Sequence, residues 1–274
     1  MRDSFRRLTD ALDEMALTVN EDKTAILVMG PKKRREAIKS DLDGHPPQIQ
    51  GYDISTAQKE KYLGLFFHEE GIKKSCDLNI AAKKSKVLLK VKQIKILLRD
   101  PRMTRIGWIQ AALGMFQAVI VAVLLYGMES YSQLNKRQEE EIESIHRAAL
   151  IDILELSKFV NYRAALAELG LMTMIDRIKL QKLVYVNGLH KRSATIVKNH
   201  LDYEAGTTPS FGLRKEISEL CKEFKIPDVN TTYILKEDLV RAVKTAAYRS
   251  VWESSLHSKK VLARLELRLT EDKL

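Results

Sequence analysis

Two cysteines, six prolines and twelve glycines are few for 274 residues. Cys76 and Cys221 stand far apart, in neither a CxxC pair nor a Cys/His cluster. That excludes a disulfide-stapled scaffold, and the thiols read as reduced in an intracellular protein. Sparse proline and glycine favour long helices over a turn-rich architecture. His45, His68, His146, His190, His200 and His257 are scattered without an HExxH pattern, and no glycine-rich phosphate loop or Gly-x-Ser-x-Gly elbow occurs. No catalytic or metal-ligating constellation is therefore legible.

What is present is a globular composition, 45% apolar and 30% charged. Ile106 to Met128 carries no charge at all, with Gln110, Gly114 and Gln117 on one face. A helix of about 20 apolar residues can span a bilayer, or can lie at the centre of a large domain. No second run of that kind accompanies it, so the expectation is a core helix on which the rest is centred, and not a membrane anchor.

The net charge of +10 is unevenly placed. Residues 71–105 hold 11 basic and 2 acidic side chains, while residues 1–70 are net negative. A local basic stripe is the footprint of a polyanion site, although a solvated helix face gives the same pattern. Within it, Ile80, Val87, Val91, Ile94 and Leu98 form one apolar stripe, and Leu78, Leu89 and Ile96 a second. Lys83, Lys86 and Lys90 fall on one flank between them, and Lys84, Lys92, Lys95 and Arg99 on the other. The expected helix is packed on two sides with charged flanks.

Along the rest of the chain, Asp3–Met15 reads as an amphipathic helix, and Thr24–Met29, Ile49–Ile54 and Lys61–Phe67 as strands. Gly64 marks a bulge or a close backbone approach. Lys32–Arg35 is a basic cluster of the kind nuclear import machinery reads, or a basic helix start. Asn135 with Gln138 is a capping box that opens a helix to about Leu156. Glu139, Glu140, Glu141 and Glu143 then sit at the positive end of its dipole, a structural cluster and not a metal site. Further helices are expected at 163–169, 174–189, 194–202, 213–224 and 235–254, with Tyr248 and Trp252 as a buried aromatic edge, and residues 261–269 close the chain.

Four features of this sequence resemble, in order, the C-terminal part of non-long-terminal-repeat (LINE-type) retrotransposon reverse transcriptases. Leu17-Thr18-Val19-Asn20 with Lys23-Thr24 is similar to the strand entry after the active-site hairpin. Lys61-Tyr62-Leu63-Gly64 is similar to the primer-grip hairpin of the palm. Leu124-Leu125-Tyr126-Gly127 with Glu129 is similar to the Leu-Tyr-Gly-x-Glu of the thumb, and Leu166–Leu171 follows it. The resemblance implies residues 1–70 as a partial palm, 71–158 as a helical thumb and 159–274 as a helical C-terminal extension.

By the same resemblance, Lys23 lies near the phosphates of the incoming nucleotide and Tyr62, Leu63 and Gly64 at the primer end. Lys83, Lys84, Lys86, Lys90, Lys92 and Lys95 track the phosphates of an RNA–DNA hybrid or duplex. The family's paired aspartates are missing: no Asp-Asp occurs in the chain. Mg²⁺ is accordingly expected only with a catalytic palm supplied elsewhere. The chain alone is expected to be inactive, as a fragment, a decayed copy or a domesticated remnant. The fold class expected is α+β, a small antiparallel palm-like sheet followed by about seven helices. A helical adaptor for an acidic protein partner is the alternative.

Overall fold

The computed structural model describes residues 2–20, 23–100, 102–131, 134–189 and 213–255. It is mainly helical with short strands, the α+β class expected. The helices expected at 194–202 and 261–269 lie outside the described residues. Two compact units form, Met1–Ala82 and Lys83–Leu274.

The first unit holds α1 (Arg2–Glu14), β1 (Ile26–Leu27), α2 (Lys32–Gly44), β2 (Gln48–Ile49), β3 (Tyr52–Asp53), β4 (Thr56–Ala57), β5 (Lys59–Tyr62), β6 (Leu65–His68) and the start of α3 (Ile72–Leu97). The expected single antiparallel sheet is not what the strands build. They pair as three separate two-stranded ladders, and β1 with β4 is parallel. Turn chemistry is the reason. Gln50 and Gly51, at φ 50° and 83°, and Leu63 and Gly64, at φ 46° and 83°, each place two left-handed residues in succession. That is the tight hairpin geometry which reverses a chain after two residues. Gly64 is therefore a turn residue inside Lys61–Phe67, and not a bulge in one strand.

The division between units falls inside α3, beyond the change of composition near residue 70, because the first turns of α3 are tied to β6. Asn79 accepts from the Phe66 amide at 2.9 Å and donates to the Phe66 carbonyl at 2.7 Å, standing in for a neighbouring strand. Ser75 accepts from the His68 amide at 2.8 Å. In α2 the basic cluster is partly consumed. Arg35 is buried, donates to the Glu69 carbonyl at 3.2 Å and pairs with its carboxylate, which Lys39 also holds. The hydrogen bond from Lys39, aided by the charge of Arg35, keeps the Glu69 carboxyl below the usual carboxylate range.

The second unit holds the remainder of α3, α4 (Arg105–Leu125), α5 (Lys136–Ile153), α6 (Tyr162–Glu168), α7 (Met174–Leu189), α8 (Leu213–Glu223) and α9 (Lys236–Ser255). Helix starts follow side-chain chemistry. Asn135 and Gln138 make the reciprocal capping box, and Thr104 and Asn161 cap α4 and α6. Gly127, at φ 71°, turns the chain after α4, which only glycine does at no steric cost.

The apolar run is not the centre. Over its most apolar 18 residues, α4 has a mean hydropathy of 2.0 and is long enough to cross a bilayer, yet only 28% of that window is buried. Its inner stripe is Ala112, Phe116, Ile120, Val121 and Leu124, and Gln110, Gly114 and Gln117 face outward together. A π-helical stretch, Phe116–Val121, widens the turn and brings the adjacent Ile120 and Val121 both inward. The central element is α7, which packs against α4, α5, α8 and α9. Its Leu183 and Val186 join Ile217, Leu220, Phe224, Leu239 and Val243 in one apolar cluster.

Burial on most sides makes partners for the polar groups of α7 valuable, and several find them on neighbouring elements. Lys182, 2% exposed, reaches Glu216 at 2.6 Å. Asn187 bonds both backbone groups of Ile234, at 2.8 and 3.0 Å. Gln181 donates to Glu129 at 2.7 Å. At the start of α7 the Ile175 amide donates to Glu143 at 2.8 Å, and Tyr162 donates to the other Glu143 oxygen at 2.8 Å. His146, fully buried against Phe116, meets the Tyr162 hydroxyl through Nδ1. Because that hydroxyl gives its proton to Glu143, His146 Nδ1 is the donor. Burial, reinforced by the charge of Arg177, pushes the His146 pKa down to about 3. Burial likewise raises Glu143 above the usual carboxylate range, opposed by the Ile175 hydrogen bond.

Two stability outcomes follow. Lys182→Met is expected to cost roughly 3–5 kcal/mol in urea unfolding, because Glu216 keeps an uncompensated charge; Lys182→Met with Glu216→Leu regains most of it. His146 is neutral when folded, whereas the unfolded histidine protonates below its ordinary pKa of 6.5. Its contribution is therefore complete above pH 6.5 and falls as the pH drops toward 3, by about 1.4 kcal/mol per unit, with Glu143 working in the opposite sense. Urea midpoints from pH 7 to 4.5 should decline less steeply in His146→Gln; an equal decline would assign the acid limb to other groups.

Candidate nucleic-acid interface

The expected contact residues occur in both units. In the first, Tyr62, Leu63 and Gly64 are brought together at the tip of the β5–β6 hairpin, with Tyr62 66% and Leu63 70% exposed. Lys23 sits exposed in a short turn, its amide donating to the Asn20 carbonyl at 3.1 Å. The run Thr24–Met29 forms strand only at Ile26–Leu27.

In the second unit the lysines of α3 separate by what surrounds them. One face of the helix is buried as expected, with Val87, Val91, Ile94 and Leu98 inside. The expected second packed stripe is not packed. Leu89 is 61% and Ile96 65% exposed, because no described helix of this unit covers that side. The outward face therefore alternates cations with aliphatic side chains.

Lys83 is not on that face. It is buried, and its ammonium donates to the carbonyls of Val123 at 2.9 Å and Tyr126 at 2.5 Å, with the Tyr126 ring 5.7 Å away. A cation there satisfies the last carbonyls of α4 and suits the negative end of its dipole. Periodicity alone placed Lys83 with Lys86 and Lys90, but the end of α4 meets the helix at Lys83 and leaves the other two exposed.

Lys95 is also engaged, in an ion pair with Asp152 at 2.6 Å. It and Lys84 border a groove of about 820 Å³ between α3 and α5, floored by Val87, Val91, Ile145 and Ala149. Glu141, Asp152 and Glu155 line the same groove, so that flank carries both signs of charge.

Lys86, Lys90 and Lys92 remain, all exposed. Lys86 and Lys90 lie one turn apart on one side of the Leu89–Ile96 crest, and Lys90 also donates to Gln93 at 3.0 Å. Lys92 lies on the other side, with Arg99 seven residues on. Arg99, exposed just past the helix, lies on the Lys92 side although only the lysines were expected in the site. From Leu78 to Arg99 there is no acidic side chain, so none within the helix neutralises these cations.

No group of His, Cys, Asp or Glu that could hold a metal occurs among the described residues. Cys76 and Cys221 are buried and are not joined in a disulfide. Set against protein-family models, curated proteins and solved structures, the chain matches none of the three.

Proposed function

We propose that this chain is a reverse-transcriptase-like thumb with part of a palm, and that it binds an RNA–DNA hybrid or duplex along α3. The observation that carries the reading is the two exposed cationic flanks of the crest, Lys86 with Lys90 and Lys92 with Arg99, in a stretch with no acid between Leu78 and Arg99. A rigid helix with cations one and two turns apart presents point charges to successive phosphates, and their neutralisation releases counterions. In the first unit, the exposed tip at Tyr62 and Leu63 supports the palm portion of the reading. Without paired aspartates the chain supplies no seat for the two metal ions of nucleotidyl transfer, so its role is to hold nucleic acid. Carboxylates and Mg²⁺ would come from the catalytic part of a polymerase.

The exposed crest formed by Leu88, Leu89, Ile96 and Leu97 favours a second reading. Phosphates gain nothing from aliphatic side chains, whereas an acidic amphipathic helix would cover the crest and pair with the lysines beside it.

Fluorescence anisotropy with a hybrid of about 15 base pairs across a salt series separates them. Lys86→Ala/Lys90→Ala/Lys92→Ala is expected to flatten the log–log salt slope by about 2 to 3 units. Lys83→Met should leave the slope unchanged and lower the unfolding free energy measured in urea by about 1–3 kcal/mol, because two carbonyls lose their donor. An unaltered slope in the triple variant would remove α3 from the site. Binding of an acidic amphipathic peptide in place of the hybrid would select the second reading.

A further inference from the structure

Two features have no part in the function proposed above: the groove between α3 and α5, and Phe159. The groove lies wholly within the second unit. Its floor of Val87, Val91, Ile145 and Ala149 is apolar, and Leu88 stands exposed on its α3 wall. An apolar floor open to water gains free energy by being covered.

The charges of the groove are divided between its walls. α3 contributes only cations, Lys84 and Lys95. The α5 side contributes Glu141, Asp152 and Glu155, together with Arg147 and Lys158. Four cations and three acids leave the groove nearly neutral in a chain of net charge +10. Like charge repels copies of such a chain at long range, and this face is relieved of it. The walls are also in register. Lys95 pairs with Asp152, and Lys84 and Glu141, equally far back on their helices, line the same groove. α3 and α5 therefore run in one direction, with Lys84 level with Glu141.

Phe159 is 97% exposed. The turn that carries it is held, because its amide donates to Ser157 Oγ at 3.3 Å and the Val160 amide donates to the Ser157 carbonyl at 3.0 Å. Leu156 and Lys158, its neighbours in the chain, line the groove on the α5 side. A phenylalanine ring has no polar handle for water, and such rings are enriched where proteins meet.

We propose that two copies of this chain associate through the groove, about a two-fold axis running along it. That axis sets α3 of each copy over α5 of the other. Lys84 of each then faces Glu141 of the other, and Phe159 of each is carried onto the α3 wall of the other and leaves water. An unlike partner would have to supply an aromatic ring and both signs of charge in matching order, whereas a second copy already holds all three. The proposal uses none of Lys86, Lys90 and Lys92, and stands whether or not the chain binds nucleic acid.

Sedimentation equilibrium of the full chain, freed of nucleic acid, is expected to show a monomer–dimer equilibrium between about 1 and 100 μM. Phe159→Asp, at a position too exposed to disturb folding, should weaken it about tenfold. Lys84→Glu alone and Glu141→Lys alone should each weaken it several-fold, because each sets two like-charged pairs across the axis. An equimolar mixture of those two variants should associate as the parent does, since the mixed dimer holds one native and one reversed pair. Misfolding of either variant gives no such rescue. A chain that stays monomeric throughout overturns the proposal and leaves the groove to a different protein. A dimer indifferent to Phe159→Asp, or a mixture no tighter than its components, puts the association on another face and overturns it equally.

Discussion

The helical unit depends on the buried faces of α7, where polar side chains have no recourse to water. Lys182, Asn187, Gln181 and the amide of Ile175 each find a partner on a different element: Glu216 on α8, the Ile234 backbone before α9, Glu129 after α4 and Glu143 on α5. Apolar contact alone would let these helices slide or rotate at modest cost. Buried polar pairs do not, because a misplaced neighbour leaves a group unsatisfied in a medium of low dielectric. The apolar cluster around Leu183 and Val186 drives association, and the polar pairs select one arrangement.

The same accounting sorts the lysines. Lys83, Lys95 and Lys182 are all lysines on helices, yet each is committed to carbonyls or to a carboxylate within the fold. Lys83 and Lys182, being buried, have no orientation left to offer an external ligand. Lys86, Lys90 and Lys92 differ by facing away from every described helix of their unit. The functional charge of the basic segment is thus smaller than its composition suggests and is concentrated on one face, interleaved with Leu89 and Ile96.

The Glu143–Tyr162–His146 chain shows how far a local reading reaches. Glu143 stands in a run of glutamates at the start of α5 and reads as part of a dipole-matched surface cluster. Three of those four glutamates keep that role. Glu143 is drawn inside because Tyr162 and the start of α7, 19 and 32 residues away, converge on it. Nothing in the run distinguishes it from its neighbours. Trp252 illustrates the converse: four residues from Tyr248 it has the spacing of a buried edge, but Gly170 after α6 holds the tyrosine and Trp252 stays 49% exposed.

Sequence alone determined what depends on neighbours a few residues apart. The capping box at Asn135 and Gln138, the inner stripe from Ile80 to Leu98, the outward pairing of Gln110 with Gln117 and most helix limits are set by hydrogen bonds and periodicities that span a turn or two. Tertiary structure decided what depends on whether a second element arrives. The strands became three short ladders and not one sheet. The apolar run became a helix with a bare side and α7 the centre. The second stripe of α3 stayed uncovered, and Lys83 turned inward. An apolar or cationic side chain carries the same local signature on either side of a helix, and only the packing of distant segments determines which side is removed from water.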